Sequence, residues 1–225
     1  VAKRNNLKVI EDCAEALGTR IDGHHVGTLG DIGTFSFFGN KTVTTGEGGM
    51  VIANDRDLAL RLRRVKGQGQ SLDRRYWHDI LGFNYRMTNI AAAIGCAQIE
   101  RVDAILARKY EIAQSYRRIA RYLPVEFQVA TQNVVSSDWL VSLLLPKGTD
   151  RDRLMQTMDA QGVETRPVFF PAHHMPMYLS PDRFPVAEEI SARGLSLPSF
   201  PTLSEEQVGK VVEALSAALA EQGLA

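Results

Sequence analysis

Long blocks of like charge are missing from this sequence. Lysine and arginine number 26 and aspartate and glutamate 26, so the formal net charge is zero. Neither nucleic acid nor an anionic membrane surface is therefore expected as the main partner. Cysteine is scarce too. Cys13 and Cys96 are the only two, and they stand in apolar or small-residue segments without metal-ligand spacing. They read as reduced, buried thiols in a cytoplasmic setting, with no metal site. No apolar run approaches the ~20 residues of a membrane span; Leu140 to Leu145, interrupted by a serine, is among the longest. Internal repeats and low-complexity stretches are lacking as well. So is an initiator methionine: the chain opens on Val1 and runs almost at once into a strand-like segment, as a fragment would. What is present is an ordinary globular composition, 225 residues with 44% hydrophobic, enough to bury a real core.

Read along the chain, Val9 and Ile10 end in Glu11 and Asp12 and a small-residue turn to Gly18, the pattern of a buried strand's carboxyl end. In open α/β sheets, ligand groups gather at such ends. Strands are expected at Ile32 to Phe38 and Met50 to Ala53, with Gly46, Gly48 and Gly49 turning between them. A surface helix follows, with Asn54 as its N-cap. Gly67 to Gly82 reads as an extended loop. Thr88 starts a helix whose Ala91, Ala92, Ala93, Gly95 and Ala97 leave a nearly bare surface for close packing, and a second helix, Asp103 to Leu123, stops before Pro124. Beyond it the spacing predicts a strand in "DWLVSLLLP", a helix from Asp150 to Gln161, a strand in "GVETRPVFF" and a last helix from Ser204 to Glu221 opened by a capping box. The chain thus divides into 1–123, part of a larger α/β domain, and 124–225, a small α/β domain.

The chemistry centres on Lys41, set between an aromatic, β-prone run and a stretch of threonines and glycines. A lysine amine freed of its proton attacks carbonyls to give a Schiff base. Pyridoxal phosphate needs such a lysine, and a carboxylate that keeps its pyridine nitrogen protonated; Asp12, at a strand's end, is placed to be one. The spacing alone leaves the ordinary roles open, a turn carboxylate and a solvated loop lysine. Ser36 equally reads as a strand serine bonded to backbone.

Four segments, "VIEDCAEALGT", "GDIGTFSFFGNKTVTTGEGGMV", "LGFNYRMTNIAAAIG" and "ETRPVFFPAHHMPMY", occur in the order in which the DegT/DnrJ/EryC1/StrS family of sugar aminotransferases carries similar ones. The chain resembles that family over nearly its whole length. The resemblance implies the α/β fold of aspartate aminotransferase-like, fold type I pyridoxal-phosphate transferases, here as a partial large domain plus the small C-terminal domain. It implies pyridoxal 5'-phosphate as cofactor, with Lys41 as the Schiff-base lysine, Asp12 at the pyridine nitrogen, Glu15 facing the phenolic oxygen and Ser36 on the phosphate. Asn84 is implied to reach the phosphate of a neighbouring subunit in a homodimer with shared active sites. His173, and with less weight Arg86, are implied to face the substrate; His174 has no counterpart, and Arg166 reads first as a structural ion pair. The implied reaction moves an amino group from glutamate to a nucleotide-linked keto-sugar. Dehydratases of the same family carry histidine where this sequence has Lys41, so lysine favours amino transfer. A regulatory homologue without catalysis is the third reading. The family's upstream part supplies much of the cofactor cradle, so these residues alone are expected to bind the cofactor poorly.

Overall fold

Alternation is short at the start of the chain, and so is the first strand. In the computed structural model, which describes residues 1–224, strand β1 is Ile10–Asp12. Strands β2 (Arg20–Ile21) and β3 (His24–His25) form a hairpin turned by Asp22 and Gly23, both at positive φ, 51° and 80°. Two successive positive φ values match the right-handed twist of the flanking strands, which is why Asp-Gly is so suited to this turn. Strand β4 (Ile32–Ser36) runs parallel to β1, and β5 (Gly49–Ala53) pairs antiparallel with β4.

The link between β1 and β4 is held from inside. Glu11 accepts hydrogen bonds from the backbone N–H groups of Gly27, Leu29 and Gly30 at 2.8, 2.7 and 2.6 Å. Gly33 makes room for the same loop, since a Cβ there would lie 2.3 Å from the Gly27 carbonyl oxygen. Burial pushes the Glu11 carboxyl up, but the N–H groups of Gly27, Gly30 and Leu29 together outweigh it and leave it below the usual carboxylate range. A carboxylate held low contributes stability that is present above its unfolded pKa and lost as pH falls through the folded one. Glu11→Gln, which turns an amide N–H₂ toward backbone donors, is expected to cost about 1–3 kcal/mol near neutral pH. Denaturant titrations from neutral to acid pH should show the gap to the unsubstituted protein closing as pH drops.

Helix α1 (Arg56–Lys66) is capped by Asp55, whose side chain accepts from the Leu58 N–H. The cap expected at Asn54 is thus one residue early: Asn54 instead donates its amide to the Thr28 carbonyl, and the carboxylate beside it is the better match for the positive helix start. Helix α2 (Asn89–Ile99) is capped by Thr88 as expected, and Gly95 is its one buried residue. Cys96 on this helix is exposed, while Cys13 is buried. The expectation of two buried thiols therefore fails at Cys96, because few side chains pack around that helix.

Helix α3 (Val102–Ile119) ends in a 3-10 turn at Ala120–Tyr122 ahead of Pro124. Then follow β6 (Glu126–Phe127), β7 (Val134–Val135), β8 (Val141–Leu144), helix α4 (Arg151–Ala160) and β9 (Arg166–Pro167). Helix α5 (Pro185–Arg193), β10 (Gly194–Leu197) and helix α6 (Glu205–Ala220) complete the chain. By packing, the chain forms two compact units, Val1–Leu106 with Ala130–Trp139, and Ala107–Val129 with Leu140–Ala225. The division falls inside α3, not after residue 123, and residues 130–139 return to the first unit because β7 pairs with β2.

The second unit carries the larger core. Its sheet has the order β6-β8-β10-β9, all antiparallel. Ile112 and Tyr116 of α3, Leu143 of β8, Leu154 and Met158 of α4, Leu195 of β10 and Leu215 and Leu219 of α6 are all buried in one cluster. The capping box at Ser204 and Gln207 is formed. The strand expected over 162–170 is limited to Arg166–Pro167, because Pro167 brings no N–H to the ladder. Among the described residues no helix is long and apolar enough to cross a membrane.

Candidate active site

Strand ends set the site. Asp12 closes β1, and its carboxylate accepts from the Ala14 N–H at 3.1 Å, turning the chain so that Glu15 follows within one turn. Ser36 closes the parallel neighbour β4, and its Oγ accepts from the Phe38 N–H at 3.3 Å. Lys41 sits just past that strand, its N–H bonded to the Phe38 carbonyl at 3.0 Å. The Lys41 side chain is 13% exposed, and its Nζ donates to Glu15 Oε1 at 3.0 Å.

The loop after Lys41 is fixed at several points. Phe37 accepts at its carbonyl from the Thr45 N–H at 2.9 Å and donates its own N–H to Gly48. Gln98 of α2 pairs with both backbone groups of Thr44, accepting at 3.1 Å and donating at 2.7 Å. Gly95 permits that approach, since a Cβ there would stand 2.9 Å from the Thr45 methyl. Sequence reasoning missed Gln98; a lone glutamine among small helix residues gives no signal of its partner.

A second residue missed by sequence reasoning is Trp139. Its ring centroid lies 4.1 Å from Lys41 Nζ, and its Nε1–H donates to the Asn40 carbonyl at 2.8 Å.

The remaining candidates have contacts of their own. Asn84 is exposed and pairs by backbone with Gly67, beside the end of α1. Arg86 is exposed on the same segment. Arg166 meets Glu164 at 3.6 Å with both side chains mostly in solvent, an ion pair of small worth.

In the second unit His173, with 10% of its side chain exposed, points Nε2 at Glu188 Oε1 at 3.2 Å and packs its ring on Phe184 at 4.7 Å. His174 lies edge-on to it at 4.3 Å. The ligand atoms of His173, His174 and Glu188 all fall within 4.8 Å of one another. The carboxylate is already engaged, however. Glu188 accepts from Arg183 Nε and Nη2 and from the Phe184 N–H at 2.9 Å. Arg183 first, then the Phe184 N–H and His173, pull its carboxyl down to about 2. The group reads as a salt-bridged staple. Its folded pKa is lowered, so its stabilisation is complete above 4.5 and fades as pH falls toward about 2. The stability difference between Glu188→Gln and the unsubstituted protein, measured by denaturant titration, should shrink across that window, and Arg183→Ala should move the loss to higher pH.

Comparison with known proteins bears on the whole of this chain. The DegT/DnrJ/EryC1/StrS aminotransferase family pattern matches residues 1–216. GDP-perosamine synthase of Escherichia coli O157:H7 is 50% identical over 217 residues, 96% of this chain and 59% of that protein. The GDP-perosamine synthase of Vibrio cholerae is 46% identical, across 92% of this chain and 58% of its own. At 33% identity stands a UDP-N-acetyl-3-dehydro-alpha-D-glucosamine 3-aminotransferase of Acidithiobacillus ferrooxidans, matched over 94% of this chain and 57% of its own length. Among solved structures, the aminotransferase TlmJ from Streptoalloteichus hindustanus superposes with a TM-score of 0.91 at 27% identity, over 99% of this chain and 61% of that one. DesV of S. venezuelae, solved with a ketimine intermediate, gives 0.88 at 29%, over 96% of this chain and 59% of its own. The chain thus spans about three fifths of the length of the curated relatives it matches. With its mixed α/β architecture covering part of the fold of these enzymes, the chain belongs to the DegT/DnrJ/EryC1/StrS aminotransferase family.

Proposed function

We propose that this chain serves a pyridoxal-phosphate-dependent aminotransferase that carries an amino group from glutamate to the keto carbon of a nucleotide-linked 4-keto-6-deoxy sugar. GDP-4-keto-6-deoxymannose is the favoured substrate and GDP-perosamine, for surface polysaccharide, the product. The observation that carries this reading is the 50% identity to a GDP-perosamine synthase across 96% of the chain. The fall to 33% for a relative named for C3 amination of a UDP-sugar supports C4 over C3.

The donor set suits the cofactor. A sheltered amine, a strand-end carboxylate and a strand-end hydroxyl lie on two paired parallel strands or just beyond them. Pyridoxal phosphate, when bound, supplies a carbonyl carbon for the amine and a ring that draws off electrons when a Cα–H bond breaks. Lys41 would hold the cofactor through its Nζ and, when its amine is free, would serve as the acid and base that takes up and gives back the substrate's Cα proton. Asp12 would keep the pyridine nitrogen protonated and Ser36 would donate to the phosphate, while Glu15, which orients Lys41, would face the phenolic oxygen. Asn84 is assigned to the phosphate in a second subunit's site, and His173 and Arg86 to the sugar nucleotide. A homodimer is supported by α2, whose small residues stay largely uncovered, and a cytoplasmic setting by two unbridged cysteines.

The test uses the intact protein. Addition of pyridoxal phosphate should produce a visible absorption band that glutamate bleaches, and GDP-4-keto-6-deoxymannose should then restore it while yielding the aminated sugar. Restoration by UDP- or dTDP-linked keto-sugars alone would overturn the nucleotide, and the absence of any band would overturn the function.

A further inference from the structure

Trp139 reaches Lys41 from far along the chain, on a segment that is firmly tied down. β7 pairs with β2, Arg20 opposite Val135 and Ile21 opposite Val134. The Asp22 N–H bonds to the Asn133 carbonyl at 2.9 Å. Thr19 Oγ1 donates to Ser137 Oγ and accepts from the Ser137 N–H, both at 3.1 Å. Ser137 and Asp138 are buried. The anchor for this strap is residues 19–22, directly after the turn that carries Asp12 and Glu15. One short stretch therefore places both the carboxylate on Lys41 and, through the strap, the ring over it.

We propose that Trp139 is a positioning residue for Lys41, its ring face and the Glu15 carboxylate together holding the lysine Nζ in one place whenever that nitrogen is not bonded to a carbonyl. A ring face attracts an ammonium through its quadrupole. The indole N–H, spent on the carbonyl of Asn40, fixes the ring to the residue next to Lys41 and leaves its face for the nitrogen. Glu15 alone would leave a flexible side chain tethered at one point; the ring adds a second contact and covers it. The proposal rests on the reading of Lys41 as the reactive amine, but its test reads the lysine itself.

In the intact, cofactor-free protein, Lys41 is acetylated with an amine-selective ester and followed by peptide mass spectrometry. Trp139→Leu should label Lys41 about two- to thirtyfold faster, the range a cation–π contact supports. Trp139→Phe keeps a ring face and should stay within about twofold of the unsubstituted protein on the same reasoning. Cys13, buried in the same unit, should remain closed to a thiol reagent in both, which reports that the unit is folded. Unchanged labelling in Trp139→Leu, or equal acceleration in Trp139→Phe, overturns the proposal. Should the variants unfold, protein labelled with 13C at lysine Cε decides: the Lys41 methylene must be displaced upfield by the ring, and an ordinary shift overturns the proposal. Ring-dependent labelling without a cofactor band would leave the positioning intact and remove the function; a band and turnover with ring-independent labelling would do the reverse.

Discussion

Lys41→Ala is expected to lower glutamate-dependent amino transfer by at least about 10²- to 10⁴-fold, the usual contribution of a positioned acid or base. Here the same nitrogen is also asked to form the covalent link, so the loss should lie at the upper end of that range. The visible band on addition of pyridoxal phosphate should disappear with it. Lys41→Arg is the informative companion. Arginine keeps the positive charge, the ion pair with Glu15 and a planar cation for the Trp139 face, so a lysine of merely structural value would be rescued by it. A guanidinium does not give up its proton in proteins and makes no Schiff base. Both variants inactive, with stability near that of the unsubstituted protein, is the expected result; an active Lys41→Arg enzyme would show that the nitrogen's chemistry is not used.

Leu143→Ala is expected to destabilise the second unit by about 3 kcal/mol, within the 2–5 kcal/mol of fully buried leucine truncations. Leu143 pairs with Phe127 on one side and Leu195 on the other, and it sits among buried side chains from α3, α4 and α6. A cavity there has neighbours on both sides of the strand that cannot close in without shifting the ladder. Leu143→Met, which nearly conserves volume, should cost less than about 1.5 kcal/mol. Denaturant titration separates the two. A loss in Leu143→Ala no larger than that in Leu143→Met would mean that the core closes over the gap.

What the sequence made legible follows from how local each signal is. The caps at Thr88, Asp150 and Ser204 were readable because a cap and its partner lie within a few residues. The β2–β3 hairpin has an equally local signal in Asp22-Gly23, but its two-residue strands leave no alternation around the turn to support it. Helix α5 and strand β10 also escaped: Gly194–Leu197 is buried at all four positions, so its polar Ser196, bonded to Ser142 at 2.9 Å, breaks the apolar pattern without facing water. At the candidate site, Asp12 is legible as a strand-end carboxylate and Lys41 as a lysine between a strand and a glycine-rich loop, while the roles of both, and that of Ser36, rest on the resemblance. Glu11 was read only as part of a strand end, although its three backbone bonds hold the loop between the two paired strands. Trp139 could not be found from sequence, since its relation to Lys41 exists only after β7 joins β2.

That strap has a consequence for the order in which the protein is made. The indole of Trp139 and the carbonyl of Asn40 are separated by 99 positions, and the intervening chain carries β5, α1, α2, α3, β6 and β7. At ordinary rates of translation, on the order of 5–20 residues per second, Trp139 leaves the ribosome roughly 5–20 s after Lys41. Throughout that interval the nascent lysine is without its cover.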